Sequence, residues 1–338
     1  MDAVHLIFGL GLIFLAAELF TNAIEWFGKH IKANEGTVGS VFAAVGTALP
    51  ETSVPLVAFL KNGGSHQAGI GAIVGAPMML STVAMFVTGV AVLAFAARNR
   101  RSKQITADYR VVGRDLRWFF LVYLTALAAA FIPHAYRPAK LAVGGVLAAG
   151  YAYYVYLTVT CPDCGRRESE MRPLHFARRA SKPRLRFVLT QLLASLVVLV
   201  VGARTFVDSV TSISAALGVS ALVLSAIITP IATELPEKLN SVTWMRHKKD
   251  TLALGNITGA MVFQSSVLPA IGIFCTGWGL QELGHAGVAS MIVALLASSI
   301  LWAEMTLRKR LSPYSLLLGG AVYLVFPAYF FGFLHGRP

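Results

Sequence analysis

The stretch "FAAVGTALPET" (residues 42–52) places Pro50 and Glu51 at the centre of a long apolar segment. A proline inside a helix removes one backbone hydrogen bond, and an acidic side chain at the centre of a bilayer costs about 2.5–3.5 kcal/mol. A second stretch, "IATELPEKLNS" (residues 231–241), has the same Thr-x-Leu-Pro-Glu pattern. The fold has to explain why this costly combination of residues occurs twice.

The apolar segment around Pro50 is one of ten that run from end to end of the chain. Of the 338 residues, 56% are hydrophobic and 13% are charged, a composition typical of polytopic membrane proteins. Each segment is long enough to cross a bilayer core of about 30 Å. The sequence therefore predicts an all-α membrane protein with ten transmembrane helices. The predicted spans are residues 4–27, 36–60, 68–97, 117–133, 139–158, 187–212, 219–243, 252–275, 286–305 and 314–334.

The net charge of +13 comes from loops on one side of the predicted membrane. Of 29 Lys and Arg residues, 23 fall in or beside alternate loops, most of them in residues 98–117 and 166–186. This bias places the basic loops in the cytoplasm and both termini outside, in the cell (inner) membrane. The basic residues thus indicate topology and contact with lipid headgroups, and they do not predict nucleic-acid binding.

The two Pro-Glu segments belong to a longer internal repeat. Residues 46–51, "GTALPE", align with residues 232–237, "ATELPE", at an offset of 186. Further on, "GAIVGA" (71–76) aligns with "GNITGA" (255–260) at an offset of 184. Each copy contains five spans, an odd number, so the second copy has to enter the membrane from the opposite side. We therefore predict two inverted repeats, residues 1–158 and 187–338, joined by a basic cytoplasmic loop, residues 159–186.

Each Pro-Glu segment offers several oxygen atoms within about one helical turn. Pro50 and Pro236 should kink or open their helices and release the carbonyl oxygens four residues earlier. A hard cation such as calcium takes six to eight oxygen ligands and would stabilise both the carboxylate and the released carbonyl. A structural kink beside a neutral, hydrogen-bonded glutamate is the alternative for a single copy. The ligands that this pattern predicts are Gly46, Thr47 and Glu51 in the first copy and Ala232, Thr233 and Glu237 in the second.

The repeated segments resemble the alpha repeats of the sodium/calcium exchangers, in the calcium/cation antiporter superfamily. Those repeats carry a "GTSLPE"-like helix followed by a "GN-x-x-GS"-like helix, and "GNITGAMVFQ" (255–264) is similar to the latter. The resemblance implies a cation antiporter in which Glu51 and Glu237 bind the ion. It adds Asn256 and Gln264 to the candidate ligands and implies that the first and sixth helices slide to alternate access.

This sequence departs from the exchanger pattern at several ligand positions. Residues without a hydroxyl or amide group stand where the family has polar side chains: Ala48, Ala76, Leu80 and Ala260. Gln264 occupies the second-copy position that corresponds to Leu80. Because each lost hydroxyl is a lost ligand, a site for several sodium ions is depleted, and the coupling ion is either sodium or a proton.

Further polar residues within the apolar segments need an interpretation. Glu234 lies three residues before Glu237 on the same helical face, so it is either a third acid of the site or a carboxyl on the entry path. Glu18 and Arg204 occupy equivalent positions in the two copies; they either pair with each other or face a water-filled vestibule. The Gly71/Gly75 and Gly255/Gly259 pairs predict close helix packing.

The three cysteines do not form a disulfide framework. Cys275 lies in an apolar segment and is predicted to be buried. Cys161 and Cys164 form "CPDC" in the loop, where His175 could add a third ligand, but a structural zinc site requires four. We therefore interpret this motif as a loop turn, with metal binding as the alternative.

The sequence thus predicts a secondary antiporter that moves calcium or another cation against sodium ions or protons, with metal cations and membrane lipids as partners and no cofactor. Two other functions compete with this one. An intramembrane enzyme is disfavoured because the chain has no HExxH motif and no nucleotide-binding loop. A cation-binding sensor or scaffold without transport is consistent with the lost ligands.

Overall fold

The chain folds into helices that follow the predicted apolar segments. The computed structural model describes residues 2–30, 43–61, 66–160, 173–180 and 182–335. Within these ranges, the side chains of residues 43–49, 159, 232, 235–240 and 329–335 lie outside the description. The helical elements of the described residues confirm the predicted all-α fold.

The helices are numbered here in chain order. Those of the first half are α1 (Asp2–His30), α2 (Ala43–Leu60), α3 (His66–Met79), α4 (Met85–Ala97), α5 (Tyr109–Ala130) and α6 (Arg137–Val159). Those of the second half are α7 (Leu185–Leu217), α8 (Ala221–Arg246), α9 (Asp250–Cys275), α10 (Leu280–Arg308) and α11 (Pro313–His335). A π-helical turn, Leu80–Ala84, joins α3 to α4 without a break, so that these two helices form one span.

Six spans of the described residues are long and apolar enough to cross a membrane. They are Asp2–His30, His66–Ala97, His134–Thr158, Leu185–Leu217, Asp250–Cys275 and Leu280–Arg308. The other predicted spans coincide with α2, α5, α8 and α11. The number of ten transmembrane helices remains a prediction.

The two helices that follow the Pro-Glu segments form the centre of the protein. In their apolar windows, 61% of the residues of α3–α4 and 67% of those of α9 are buried, compared with 22% for α1 and 28% for α7. Helices α1 and α7 pack against each other, and a separate apolar cluster joins them to α2 and the adjoining ends of α3 and α8. The main core includes residues of α5, α9 and α10 together with the buried faces of α3 and α4.

Equivalent helices of the two halves make equivalent contacts with helices of the opposite half. Helix α9 of the second half packs against α5 and α6 of the first half. In the same way, α3 and α4 of the first half pack against α10 and α11 of the second half. This exchange is the relation that two inverted repeats would produce.

The two aligned glycine pairs, in contrast, differ in how closely they pack. A Cβ atom added to Gly71 or Gly75 of α3 would overlap the carbonyl oxygen of Leu222 or Ala226 on α8. A Cβ atom added to Gly259 of α9 would lie 3.7 Å from the Tyr154 hydroxyl, an ordinary van der Waals contact. The prediction of close approach is therefore confirmed for the first glycine pair and wrong for the second, whose neighbours are side chains instead of backbone.

We expect Gly75→Ala and Gly259→Ala to have opposite effects on stability. The first change forces α3 away from α8 and should lower the free energy of unfolding by about 1–3 kcal/mol. The second should be neutral or stabilising by up to about 1 kcal/mol, because alanine favours the helix more than glycine does. Thermal unfolding of the purified variants in detergent measures both effects. Equal losses in the two variants would contradict this account of the α3–α8 contact.

Candidate functional site

Helices α2 and α8 carry the two Pro-Glu segments. Both remain α-helical through Pro50 and Pro236, so the helices do not open at these prolines; the kink, the other predicted outcome, stays a prediction. Glu51 lies on α2 and is 5% exposed. Next to it, the Ser53 hydroxyl donates to the Pro50 carbonyl at 2.9 Å. The described part of the first motif thus presents a buried carboxylate beside a buried hydroxyl.

A row of hydroxyl groups leads along α8 to the second motif. Ser225, Thr229 and Thr233 are spaced four residues apart and therefore follow one another along one side of the helix. The Ser225 and Thr229 hydroxyl oxygens are 2.9 Å apart, and the Thr233 hydroxyl donates to the Thr229 carbonyl at 3.1 Å. All three are buried. Sequence reasoning missed Ser225 and Thr229, although their spacing from Thr233 is a readable signal.

Glu234 and Gln264 join α8 and α9, the two helices of the second half that carry the repeated motif and are called its motif helices. The Gln264 side-chain nitrogen on α9 donates a hydrogen bond to the Glu234 Oε1 atom on α8. Glu234 is 1% exposed and Gln264 is 2% exposed. The Gln264 Oε1 atom is also buried, and it accepts no hydrogen bond from any residue in the described ranges. Two residues that the sequence nominated separately are therefore in contact.

Asn256 does not belong to this contact. It precedes Gln264 by eight residues on α9, a separation of about 12 Å along the helix axis. Asn256 is partly exposed, whereas Gln264 is buried. Since metal–oxygen distances are about 2.5 Å, one ion cannot bind both side chains.

The first-half counterpart of Gln264 has a different local structure. Leu80 is fully buried and begins the π-helical turn, three residues after Pro77. The Ser81 and Thr82 hydroxyls both donate to the Met78 carbonyl, Ser81 at a distance of 3.0 Å. The first half thus offers no amide where the second half has Gln264, and the two halves of the site are chemically unequal.

Several predicted residues cannot be placed. The side chains of Gly46, Thr47, Ala232 and Glu237 lie outside the described residues, as do Cys161 and Cys164. Their predicted roles therefore remain predictions. Among the residues that are described, no group of three or more His, Cys, Asp and Glu side chains is arranged to hold a metal ion.

Two predictions about other side chains are wrong, the pairing of Glu18 with Arg204 and the burial of Cys275. Glu18 and Arg204 are both exposed, and the Glu18 carboxylate lies 3.7 Å from the His175 Nε2 atom instead; the alternative, that they face a water-filled vestibule, stays a prediction. Cys275 is exposed and lines a cavity of about 390 Å³ with His66, His134 and Glu282. Both errors arise because apolar neighbours in sequence do not reveal which face of a helix a residue occupies.

The described donor atoms suit a hard cation. Carboxylate, amide and hydroxyl oxygens are present on the motif helices, and packing contacts between α2, α8 and α9 bring these helices together. Oxygen ligands of this kind bind calcium and sodium, whereas zinc and copper favour sulfur and imidazole nitrogen.

Known proteins share both the sequence pattern and the fold. The chain is 23% identical over 309 residues to the putative antiporter CaxA of Alkalimonas amylolytica, covering 90% of each protein. It is 22% identical over 284 residues to an uncharacterised membrane protein of Methanocaldococcus jannaschii, covering 79% of this chain and 80% of that protein.

Two solved structures share the helical arrangement. The crystal structure of the H+/Ca2+ exchanger CAX has a TM-score of 0.73 at 16% identity, covering 96% of this chain and 81% of the other. A structure of the sodium-calcium exchanger NCX_Mj has a TM-score of 0.56 at 20% identity, covering 97% of both chains.

The family described as sodium/calcium exchanger protein matches residues 2–160 and 187–334, nearly the whole chain on both sides of the basic loop. Members of this family are membrane transporters and not enzymes. The chain belongs to the sodium/calcium exchanger family and is an exchanger-type cation antiporter.

Proposed function

We propose that this antiporter moves calcium or another divalent cation across the membrane in exchange for protons or sodium ions. Glu51 and Glu237 are the paired carboxylates of the ion site, and Thr47 and Thr233 add oxygen ligands. The observation that carries the proposal is the buried Glu234–Gln264 contact between the two motif helices, with Glu51 buried on a third helix that packs against both. Buried ionisable groups of this kind in a membrane protein typically mark an ion path.

The donor set favours protons over sodium as the coupling ion. Ala48, Ala76 and Ala260 offer no hydroxyl oxygen, and Leu80 is buried as an apolar residue. Glu234 adds a carboxyl where the exchanger pattern has serine. A site with fewer neutral oxygens and one more carboxyl is less suited to sodium ions.

Alternating access requires part of the protein to move relative to the site, and α1 with α7 is suited to this role. The two helices cross closely, since a Cβ atom added to Gly9 would lie 2.9 Å from the Phe206 nitrogen. The Gln191 amide on α7 donates to the Asn22 Oδ1 atom at 3.0 Å and to the Leu19 carbonyl at 2.8 Å. These contacts support movement of α1 and α7 as one unit. Most residues in the apolar parts of α1 and α7 are exposed, which supports sliding of these two helices past the more buried α3 and α9.

We expect Glu51→Gln and Glu237→Gln each to lower calcium flux at least about a hundredfold, because each change removes one of the two paired charges. Purified protein in liposomes would be tested for radioactive calcium uptake, driven by an outward proton gradient or an outward sodium gradient in separate experiments. Glu282→Gln makes the same chemical change in a glutamate at the start of α10 and should leave the flux unchanged.

Each result of this experiment has a distinct meaning. Wild-type rates in Glu51→Gln or Glu237→Gln would contradict the proposed site. Uptake driven by protons alone would support the preferred coupling, and uptake driven by sodium alone would replace it. Calcium binding without flux under either gradient would favour a sensing or scaffolding role.

Restoring serine at the two divergent positions should change the coupling ion. The double variant Ala48→Ser, Glu234→Ser adds two hydroxyl ligands and removes one carboxyl. We expect sodium-driven uptake to rise relative to proton-driven uptake by about tenfold, which corresponds to about 1.4 kcal/mol. Glu234→Gln is the control, because it removes the charge without adding a hydroxyl. An unchanged ratio of the two driven rates would show that these positions do not select the coupling ion.

A further inference from the structure

A buried aspartate outside the predicted site contacts the central motif helix. Asp115 lies on α5 and is 1% exposed. Its Oδ2 atom accepts a hydrogen bond from the Thr258 hydroxyl of α9 at 2.8 Å. Its Oδ1 atom accepts from the Tyr154 hydroxyl of α6 at 2.9 Å and from Arg114 at 3.0 Å. One carboxylate thus joins three helices.

Thr258 lies inside the repeated motif of α9. It stands between Gly255 and Gly259 and is fully buried. Gln264, which contacts Glu234, follows six residues later, about 9 Å along the helix axis. At the N-terminus of the same helix, Arg101 binds Asp250 through two hydrogen bonds of 2.8 Å, with both side chains buried. The helix that presents Gln264 is therefore held by carboxylate contacts at its start and at Thr258.

The need for such a contact follows from the difference between the two halves. Helix α3 is fixed by the close approach of Gly71 and Gly75 to the backbone of α8. The equivalent glycines of α9 have ordinary space, with the nearest atoms 3.7 Å from a Cβ atom added to either one. Close approach of a neighbouring backbone therefore does not fix α9 at these glycines. The polar contact between α9 and its neighbours at this point is the Asp115–Thr258 hydrogen bond.

We propose that Asp115 is a positioning residue of the exchange site, which sets the rotation of α9 and thereby places Gln264 against Glu234. This inference rests on the proposed function, because it takes Glu234 and Gln264 as part of the ion site. Asp115 itself does not touch the ion. It acts through Thr258 and α9, and its loss weakens cation binding without removing any ligand.

The test compares two buried threonines, one whose hydroxyl binds another helix and one whose hydroxyl binds its own helix. Thr258→Val removes the hydroxyl bound to Asp115, whereas Thr88→Val removes an equally buried hydroxyl of α4 that donates to its own helix, to the Ala84 carbonyl at 2.8 Å. The measured quantity is the equilibrium binding of radioactive calcium to the purified protein, with maximal uptake in liposomes as a second readout. Thermal unfolding shows that each variant is folded.

We expect Thr258→Val to raise the calcium concentration at half-saturation about tenfold, since the lost bond is one to a charged group. Maximal uptake should change by less than about twofold, because the ion ligands remain. Thr258→Ser, which keeps the hydroxyl, should bind like the wild type. Asp115→Asn loses an acceptor shared by several donors and should weaken binding at least as much as Thr258→Val.

The outcomes separate this inference from the proposed function. If the wild type binds neither calcium nor another divalent cation tested in its place, the proposed function fails and this inference fails with it. If the wild type binds calcium and Thr258→Val binds equally well, only the positioning role is overturned. A folded Thr258→Val variant with reduced maximal uptake and unchanged calcium affinity also overturns it, because such a loss indicates a general structural role. Weaker binding in Thr258→Val, with wild-type binding in Thr88→Val and Thr258→Ser, supports it.

Discussion

Carboxylates buried between apolar helices are the constraint on which the arrangement of the protein depends. Glu51 and Glu234 are 5% and 1% exposed, far from the bulk water that would stabilise their charge. Such groups persist only where nearby dipoles or ions replace water. The helices that carry these polar groups therefore lie inside the bundle. Helices whose faces are mostly apolar, such as α1 and α7, occupy its periphery.

The repeated motif and the apolar segments predicted the helical fold because each signal is local. A proline beside a glutamate in an apolar segment is costly in any arrangement, so its repetition indicated a function before any contact was known. The close approach of glycines was predicted for both α3 and α9 and is found only for α3, since a GxxxG motif does not specify its partner. The backbone of α8 lies against Gly71 and Gly75, whereas a tyrosine side chain lies near Gly259.

Contacts between distant residues could not be predicted from the sequence. Asp115 lies 143 residues from Thr258, and its neighbours Arg110, Arg114 and Arg117 give it the appearance of a cytoplasmic surface charge. The spacing of Glu234 from Glu237 indicated that it faces the site but did not identify Gln264, which lies 30 residues away on another helix. In each case a residue type was visible in the sequence, while its partner depended on the tertiary packing.

The chemical difference between the two halves is compatible with exchange by inverted repeats. In such a mechanism, each half takes in the inward-open state the role that the other half has in the outward-open state. The helix contacts made in one state therefore have to be similar in energy to those that replace them in the other state. In this mechanism, ligands near an axis between the repeats would be common to both states and would not be bound by this requirement. Leu80 could therefore occupy the position equivalent to Gln264, and the π-helical turn that begins at Leu80 could lack a counterpart in α9. Equivalent helices keep equivalent contacts with the opposite half, as alternation would need. Local differences such as Leu80 and Gln264 could then change which ions are exchanged without disturbing those contacts.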